Sequence, residues 1–384
     1  MRRSSLTTEF LPAFLIGYSN SDFTNPHEVV MADSAPDCRL QFTHMGAKYS
    51  GFETVRHRAT TLAGGRRGDA PCPPTSTVAG GCLGDTQGPP VATGEGFGYD
   101  HDAHHWLQIG LRQRSEIDVL NVSTKWFTGN QVRAVSVYLI DELTGARELV
   151  LDRVSLQPDT DHEFPVPAVV ATECLVECYY EGGIARVQLL GRPASQLLPI
   201  RPNLLEGVAI SHISNDHYGN PAMAVGGNRL ESHMVGWESA RTGFGERALF
   251  HLASPAVVQE IVVDTYLHRL NPPLSCHVFG LQGGDVDALM EQAPRWKLVL
   301  HDGREIIPED FKAYMLAQEY LALGVKTFDI RLHLTGDRWL PLLPFGQLAA
   351  DRYHRFRDLG SMGPVSHVLY MHYPNGGIHG LKVF

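Results

Sequence analysis

Two short stretches carry the side chains best suited to chemistry, Gly51-Phe52-Glu53-Thr54-Val55-Arg56 and Gly236-Trp237-Glu238-Ser239-Ala240-Arg241. Each places a carboxyl beside an aromatic ring and an arginine three residues later. A carboxyl buried against a ring has its pKa raised toward the range useful for proton transfer. A guanidinium grips a carboxylate through two parallel hydrogen bonds. The same spacing also suits a Glu–Arg pair closing a turn, and recurrence in both halves of the chain is what favours the chemical reading.

Other candidates pair across the halves in the same way. His44-Met45 matches His233-Met234, which makes His44 and His233 candidates for general acid or base, against the commoner role of a histidine hydrogen-bonded within the fold. Asn20 and Asp22 match the region of Asn215 and Asp216; each follows a strand end and either accepts hydrogen bonds from a ligand or forms an ordinary turn. His162 and His354 each precede a Phe entering a strand and read as structural. Lys125, beside Trp126, either reaches a ligand at the rim of a sheet or caps a strand. The run Asp100-His101-Asp102-x-His104-His105 is the sharpest metal candidate, because imidazole and carboxylate bind divalent cations. His101, Asp102, His104 and His105 are its expected ligands; solvated histidines beside a Gly/Pro-rich insertion are the alternative. No other cofactor is implied.

Six cysteines in 384 residues do not form a dense disulfide framework. Cys174 and Cys178 lie on one strand, roughly 13 Å apart at the strand rise, too far to bridge. Free buried thiols are expected, and no second pair completes a zinc site. The chain has no Ser-His-Asp elbow and no phosphate loop, and Gly94-Glu95-Gly96-Phe97-Gly98 lacks the strand-turn-helix context of a dinucleotide fingerprint.

Positioning these residues falls to a duplicated, strand-rich chain. Ser19-Asn20 matches Ser214-Asn215, and Asn121-Val122-Ser123-Thr124 matches Val262-Val263-Asp264-Thr265. Leu156-x-x-Asp159-x-x-His162-x-Phe164 matches Leu348-x-x-Asp351-x-x-His354-x-Phe356, and Gly182-Gly183-Ile184 matches Gly376-Gly377-Ile378. Ordered matches of this kind mark an internal repeat. The expected organisation is a first repeat over 1–192, a linker over 193–202 and a second repeat over 203–384. Short alternating segments broken by Gly, Pro and Asn predict antiparallel β-sandwiches. Two insertions interrupt them, a Gly/Pro-rich surface loop near 60–99 and a segment after Gly280 holding an amphipathic helix over 308–323. A net charge of -10 without a Lys/Arg cluster argues against nucleic acid as partner. No apolar run approaches the roughly 20 residues of a membrane span. The start lacks a signal-peptide cleavage site, so a cytoplasmic protein is expected, with homo-oligomerisation left open.

The segments Ser214-Asn215-Asp216, Gly-Trp-Glu-x-x-Arg, His104-His105-Trp106, Phe127-Thr128-Gly129-Asn130 and the two Gly-Gly-Ile closures resemble the allantoicases of purine degradation. That resemblance implies an all-β fold of two tandem jelly-roll, galactose-binding-like sandwiches. It also implies the conversion of allantoate and water to ureidoglycolate and urea, with a small carboxylate bearing ureido groups as substrate. Glu53 or Glu238, with His44 or His233, would then serve in acid–base steps. Arg56 or Arg241 would clamp the carboxylate, and Asn20, Asp22, Asn215, Asp216 and Lys125 would complete the ligand contacts. The second repeat departs from the pattern, with Glu246-Arg247-Ala248 in place of His-Asp-Trp and Leu270-Asn271-Pro272-Pro273 in place of Phe-Thr-Gly-Asn. One competent site rather than two equal ones is therefore expected, in either repeat. A same-fold enzyme turned to another small substrate and a non-catalytic carbohydrate-binding module are the alternatives.

Overall fold

Alternation along the strands decides which side of each faces the core. In the computed structural model, Ala134–Asp141 buries Val135, Val137 and Leu139. Asp161–Tyr179 alternates over its first half and is buried continuously from Ala171 to Tyr179, where it runs between two neighbouring strands. The structure describes residues 8–19, 21, 24–43, 46–54, 61–62, 97–98, 102–197, 201–227, 229, 236–240, 245–300, 302–317, 329–334, 337–360 and 363–384. The chain divides into two compact units, Met1–Pro199 and Ile200–Phe384.

The first unit is an antiparallel array in the order Glu9–Phe10, Arg186–Pro193, His104–Ser123, Asp161–Tyr179, Ala134–Asp141, Ala146–Ser155. Ala13–Tyr18 adds to the early half of His104–Ser123, while Arg186–Pro193 pairs with its late half. Register shifts near Gly110–Ser115 and Ala171–Glu173 let the two long strands serve both layers of a sandwich. The apolar start of the chain is thus strand, and its Leu11 and Leu15 belong to the core with Leu107, Ile117, Val137, Val176 and Leu189.

In the second unit the same path is cut in two. Ala209–Ser211, Glu246–Ala256, Val365–Tyr373, Ser275–Leu281 and Leu340–Gln347 form one sheet; Tyr353–Phe356, Ile261–Asp264 and Gly380–Val383 form the other. Phe250, Val278 and Val368 from the first sheet meet Ile261, Leu381 and Val383 from the second in one core. The fold is all-β, two tandem jelly-roll sandwiches from an internal duplication.

The insertion after Gly280 forms its own layer. A three-stranded sheet, Glu305–Ile306, Arg295–Val299 and Asp329–His333, packs Trp296 and Leu298 against Leu249, Phe279 and Leu369. The expected helix over 308–323 is present as Pro308–Ala317, and residues 318–323 lie outside the described residues. Two further short helices, Pro221–Gly226 and Val286–Met290, have no counterpart in the sequence pattern, being one or two turns capped by Asn220 and Asp285 and too short to show a period. Of the 60–99 insertion, expected as a loop, Thr61–Leu62 and Phe97–Gly98 pair as two-residue strands; 63–96, with Cys72 and Cys82, lie outside the described residues. Cys38, Cys174, Cys178 and Cys276 are free and buried, and burial pushes the Cys174 thiol up to about 12. Among the described residues no helix is long and apolar enough to cross a membrane.

The duplication extends to individual hydrogen bonds. Thr124 Oγ1 donates to the carbonyl of Gln157 at 2.6 Å, and Thr265 Oγ1 to that of Ala349 at 2.6 Å. Asp159 accepts from the backbone N–H of Trp126 at 2.9 Å, Asp351 from that of Leu267 at 2.8 Å. His162 and His354 each accept from a backbone N–H through Nε2 and bond a strand carbonyl through Nδ1 at 3.0 Å. Burial lowers the His354 pKa to about 4, so it is neutral. These histidines are structural in both repeats.

Candidate functional site

In each repeat the motif strand, the Gly-Gly-Ile closure and the loop after the Thr124 or Thr265 strand converge. Phe52–Glu53 pairs with Gly183–Ile184, and Trp237–Glu238 lies between Tyr218–Gly219 and Gly377–Ile378. The motif glycine is required by conformation: Gly51 has φ +112° and Gly236 φ +151°, and a Cβ would fall 2.3 Å and 2.6 Å from the carbonyl oxygens of Ile184 and Ile378. The backbone N–H of Gly183 donates to the Asn130 carbonyl at 2.7 Å, as that of Gly377 does to Asn271 at 2.9 Å.

This convergence joins each motif carboxylate to an asparagine. Asn130 Nδ2 donates to Glu53 Oε1 at 2.7 Å, and Asn271 Nδ2 to Glu238 Oε1 at 2.5 Å. Burial raises the Glu53 pKa, and the Asn130 hydrogen bond partly offsets that. The shared geometry corrects the alignment drawn from sequence. The second-repeat counterpart of Phe127-Thr128-Gly129-Asn130 is His268-Arg269-Leu270-Asn271, so the asparagine is retained. The motif is disguised because His268 replaces the leading Phe. The equal spacing of Thr124, Phe127, Asn130 and of Thr265, His268, Asn271 is the signal that identifies it.

The closing glycine makes a seat for that ring. A Cβ at Gly183 would lie 2.1 Å from the Phe127 ring, and one at Gly377 2.1 Å from Cε1 of His268. Phe127 is buried and stacks on Tyr49 at 4.7 Å between centroids. Gly183→Ala forces the ring out; overpacking of this kind costs about 1–3 kcal/mol. The expected result is a melting temperature lower by several degrees, and an unchanged value in a thermal scan would show that the ring does not sit there.

A second position differs between repeats. In the first, Ser19 Oγ accepts from the Trp106 backbone N–H at 3.0 Å and is hydrogen-bonded to His105 Nδ1 at 3.1 Å. In the second, Ser214 Oγ accepts from the Arg247 N–H at 2.9 Å and donates to Glu246 at 2.5 Å. Glu246 therefore occupies the place of His105, the middle of the His-His-Trp triplet. Burial pushes its carboxyl up to about 7 against hydrogen bonds from Ser214 and Ser239.

The remaining expected ligands divide. His104 and His105, consecutive on a strand, face opposite ways. His104 Nδ1 bonds the Asp102 carbonyl at 3.0 Å and its Nε2 lies 3.8 Å from Glu177, while Asp102 pairs through its carboxylate with Arg153. Asp102, His104 and His105 are thus not brought together as the metal cluster expected, and among the described residues no three His, Cys, Asp or Glu side chains form a metal-binding group; His101 lies outside them. Lys125 lies 3.6 Å from Asp159 and 5.7 Å from the Trp126 ring centre, a strand-cap position. Asn215 is a turn former: its side chain accepts from the N–H groups of His217 and Ala240, and its carbonyl from Trp237 Nε1 at 2.6 Å. Asp216 is exposed. Asn20, Asp22, His44, Arg56, His233 and Arg241 lie outside the described residues.

The segments that meet here also mark the chain's relationships. The family model described as the allantoicase repeat matches residues 5–194 and again 203–337, more than half of the sequence. The chain belongs to the allantoicase family. It is 25% identical over 303 residues to a probable allantoicase of Pseudomonas aeruginosa (strain UCBPP-PA14), covering 74% of this chain and 78% of that one. It is 26% identical over 299 residues to a probable allantoicase of Rhizobium meliloti (strain 1021), covering 73% and 76%. A solved allantoicase structure aligns over 97% of this chain and 90% of its own at 17% identity, with a TM-score of 0.31. Each of this chain's two repeats thus holds a Glu–Asn pair, and the two differ in the ring over the closing glycine and in the residue hydrogen-bonded to the matched serine.

Proposed function

We propose that the chain is an allantoicase-like hydrolase that cleaves a ureido C–N bond, converting allantoate and water to ureidoglycolate and urea. The observation that carries the reading is the Glu–Asn pair of each repeat, Glu53–Asn130 and Glu238–Asn271, formed where three family-marking segments converge. The asparagine amide fixes one carboxylate oxygen, which leaves the other to assist the proton transfer that lets urea depart, as its acceptor or by holding the proton carrier beside it. Holding the carboxylate still in advance is what makes such a group effective. Arg56 and Arg241 follow the two glutamates by three residues and are assigned the substrate carboxylate. Family membership and relatives named probable allantoicase support this substrate. Urea release from allantoate is the expected result, measured with and without a chelator, which also decides whether a divalent ion takes part. Failure to release urea under both conditions would remove the assignment.

A further inference from the structure

The two repeats share their scaffold and differ in the ring seated over the closing glycine. Phe127 fills the seat opposite Gly183 with an apolar ring, and His268 fills the same seat opposite Gly377. Packing therefore does not require an imidazole, and burying one is unfavourable where a phenyl ring serves. The other matched histidines show what a structural imidazole looks like in this fold: His162 and His354 use both nitrogens on backbone groups. His268 instead lays its ring against Gly377, which is the register partner of Glu238 and donates its backbone N–H to the Asn271 carbonyl, so the ring sits among the members of the site itself. The other titrating groups around it are Asp264, His379 and His372. Burial lowers its pKa, while Glu238 and Asn271 act in the opposite direction. His268 is thus a base weakened by burial beside a carboxylate that favours its charged form.

We propose that the second repeat is the proton-transferring one, and that His268 moves the proton there in concert with Glu238. This rests on the hydrolytic reading above. As the oxygen of water forms the new C–O bond, His268 takes one of the water protons and becomes imidazolium, opposite the Glu238 carboxylate. As the C–N bond breaks, the imidazolium returns that proton to the nitrogen leaving in urea. His268 ends neutral, and the net change is the addition of water across one C–N bond. The first repeat carries Phe127 in that seat, a ring that cannot take or give a proton.

The test is His268→Phe, which installs the ring that the first repeat already accommodates, so folding is retained and is checked by thermal melting. Urea release should fall about 100-fold or more in kcat, with KM within a few-fold. The rise in rate that accompanies deprotonation of His268 should vanish from the pH profile. Wild-type kcat and an unchanged profile in this variant would overturn the inference and leave the hydrolytic reading standing. If the wild-type chain releases no urea, the hydrolytic reading falls, and histidine Cε1–H NMR titration then judges the pair. Glu238→Gln should lower the His268 midpoint, and an unmoved midpoint would overturn the coupling.

Discussion

Glu238→Ala is expected to lower kcat for urea release by about two to four orders of magnitude, the usual cost of removing a general acid–base group. A fall shared equally by kcat and kcat/KM would place the interaction in the transition state alone. Folding is a minor contributor, because the change leaves one partly buried donor, Asn271 Nδ2, without its acceptor, a loss of about 1–3 kcal/mol that a melting curve detects separately. Glu53→Ala removes the matching carboxylate beside Phe127 rather than His268, and a smaller loss of turnover is expected from it. Normal turnover in both variants would sink the role given to this motif.

Glu246→Gln is expected to change how stability depends on pH. The Glu246 carboxyl titrates near 4.5 when exposed and near 7 in the folded chain. An acid whose folded pKa lies higher holds more protons folded than unfolded across that interval. Its contribution therefore makes the fold less stable as pH rises from about 4.5 to 7, and the cost is complete above that, about 3 kcal/mol at most. The buried histidines act oppositely, since the low pKa values of His354, about 4, and His372, about 3, destabilise the fold as pH falls below the ordinary histidine range. Comparing wild type with the variant at each pH cancels the histidine part. The variant should melt several degrees higher than wild type at pH 8 and close to it at pH 5. An equal difference at both pH values would show that Glu246 is ionised throughout.

The sandwich architecture was legible because alternation and turn residues recur in both halves and agree with each other. The motif carboxylates were legible for the same reason. Asn271 was hidden by the exchange of one residue, His268 for Phe, which shifted the apparent match by two positions. Glu246 was visible only as a departure from the triplet, since its meaning depends on Ser214 from a loop far off in the sequence. The proposed metal ligands looked adjacent because a linear run does not show that neighbours on a strand point apart. Nothing in the sequence distinguished the buried polar surroundings of the second repeat from an ordinary core. There His372 has no hydrogen-bond partner on either ring nitrogen among the described residues, and it lies against Trp237 at 5.1 Å.

The glycine seat bears on how such a chain diversifies. Because Gly183 and Gly377 contribute no side chain, each leaves a seat of the same shape for the ring above it, and a five-membered titrating ring occupies in one repeat the place of a six-membered inert one in the other. A gene carrying two copies can therefore trial a reactive ring in one while the other keeps an inert one. Divergence of function then requires neither a new loop nor a new fold.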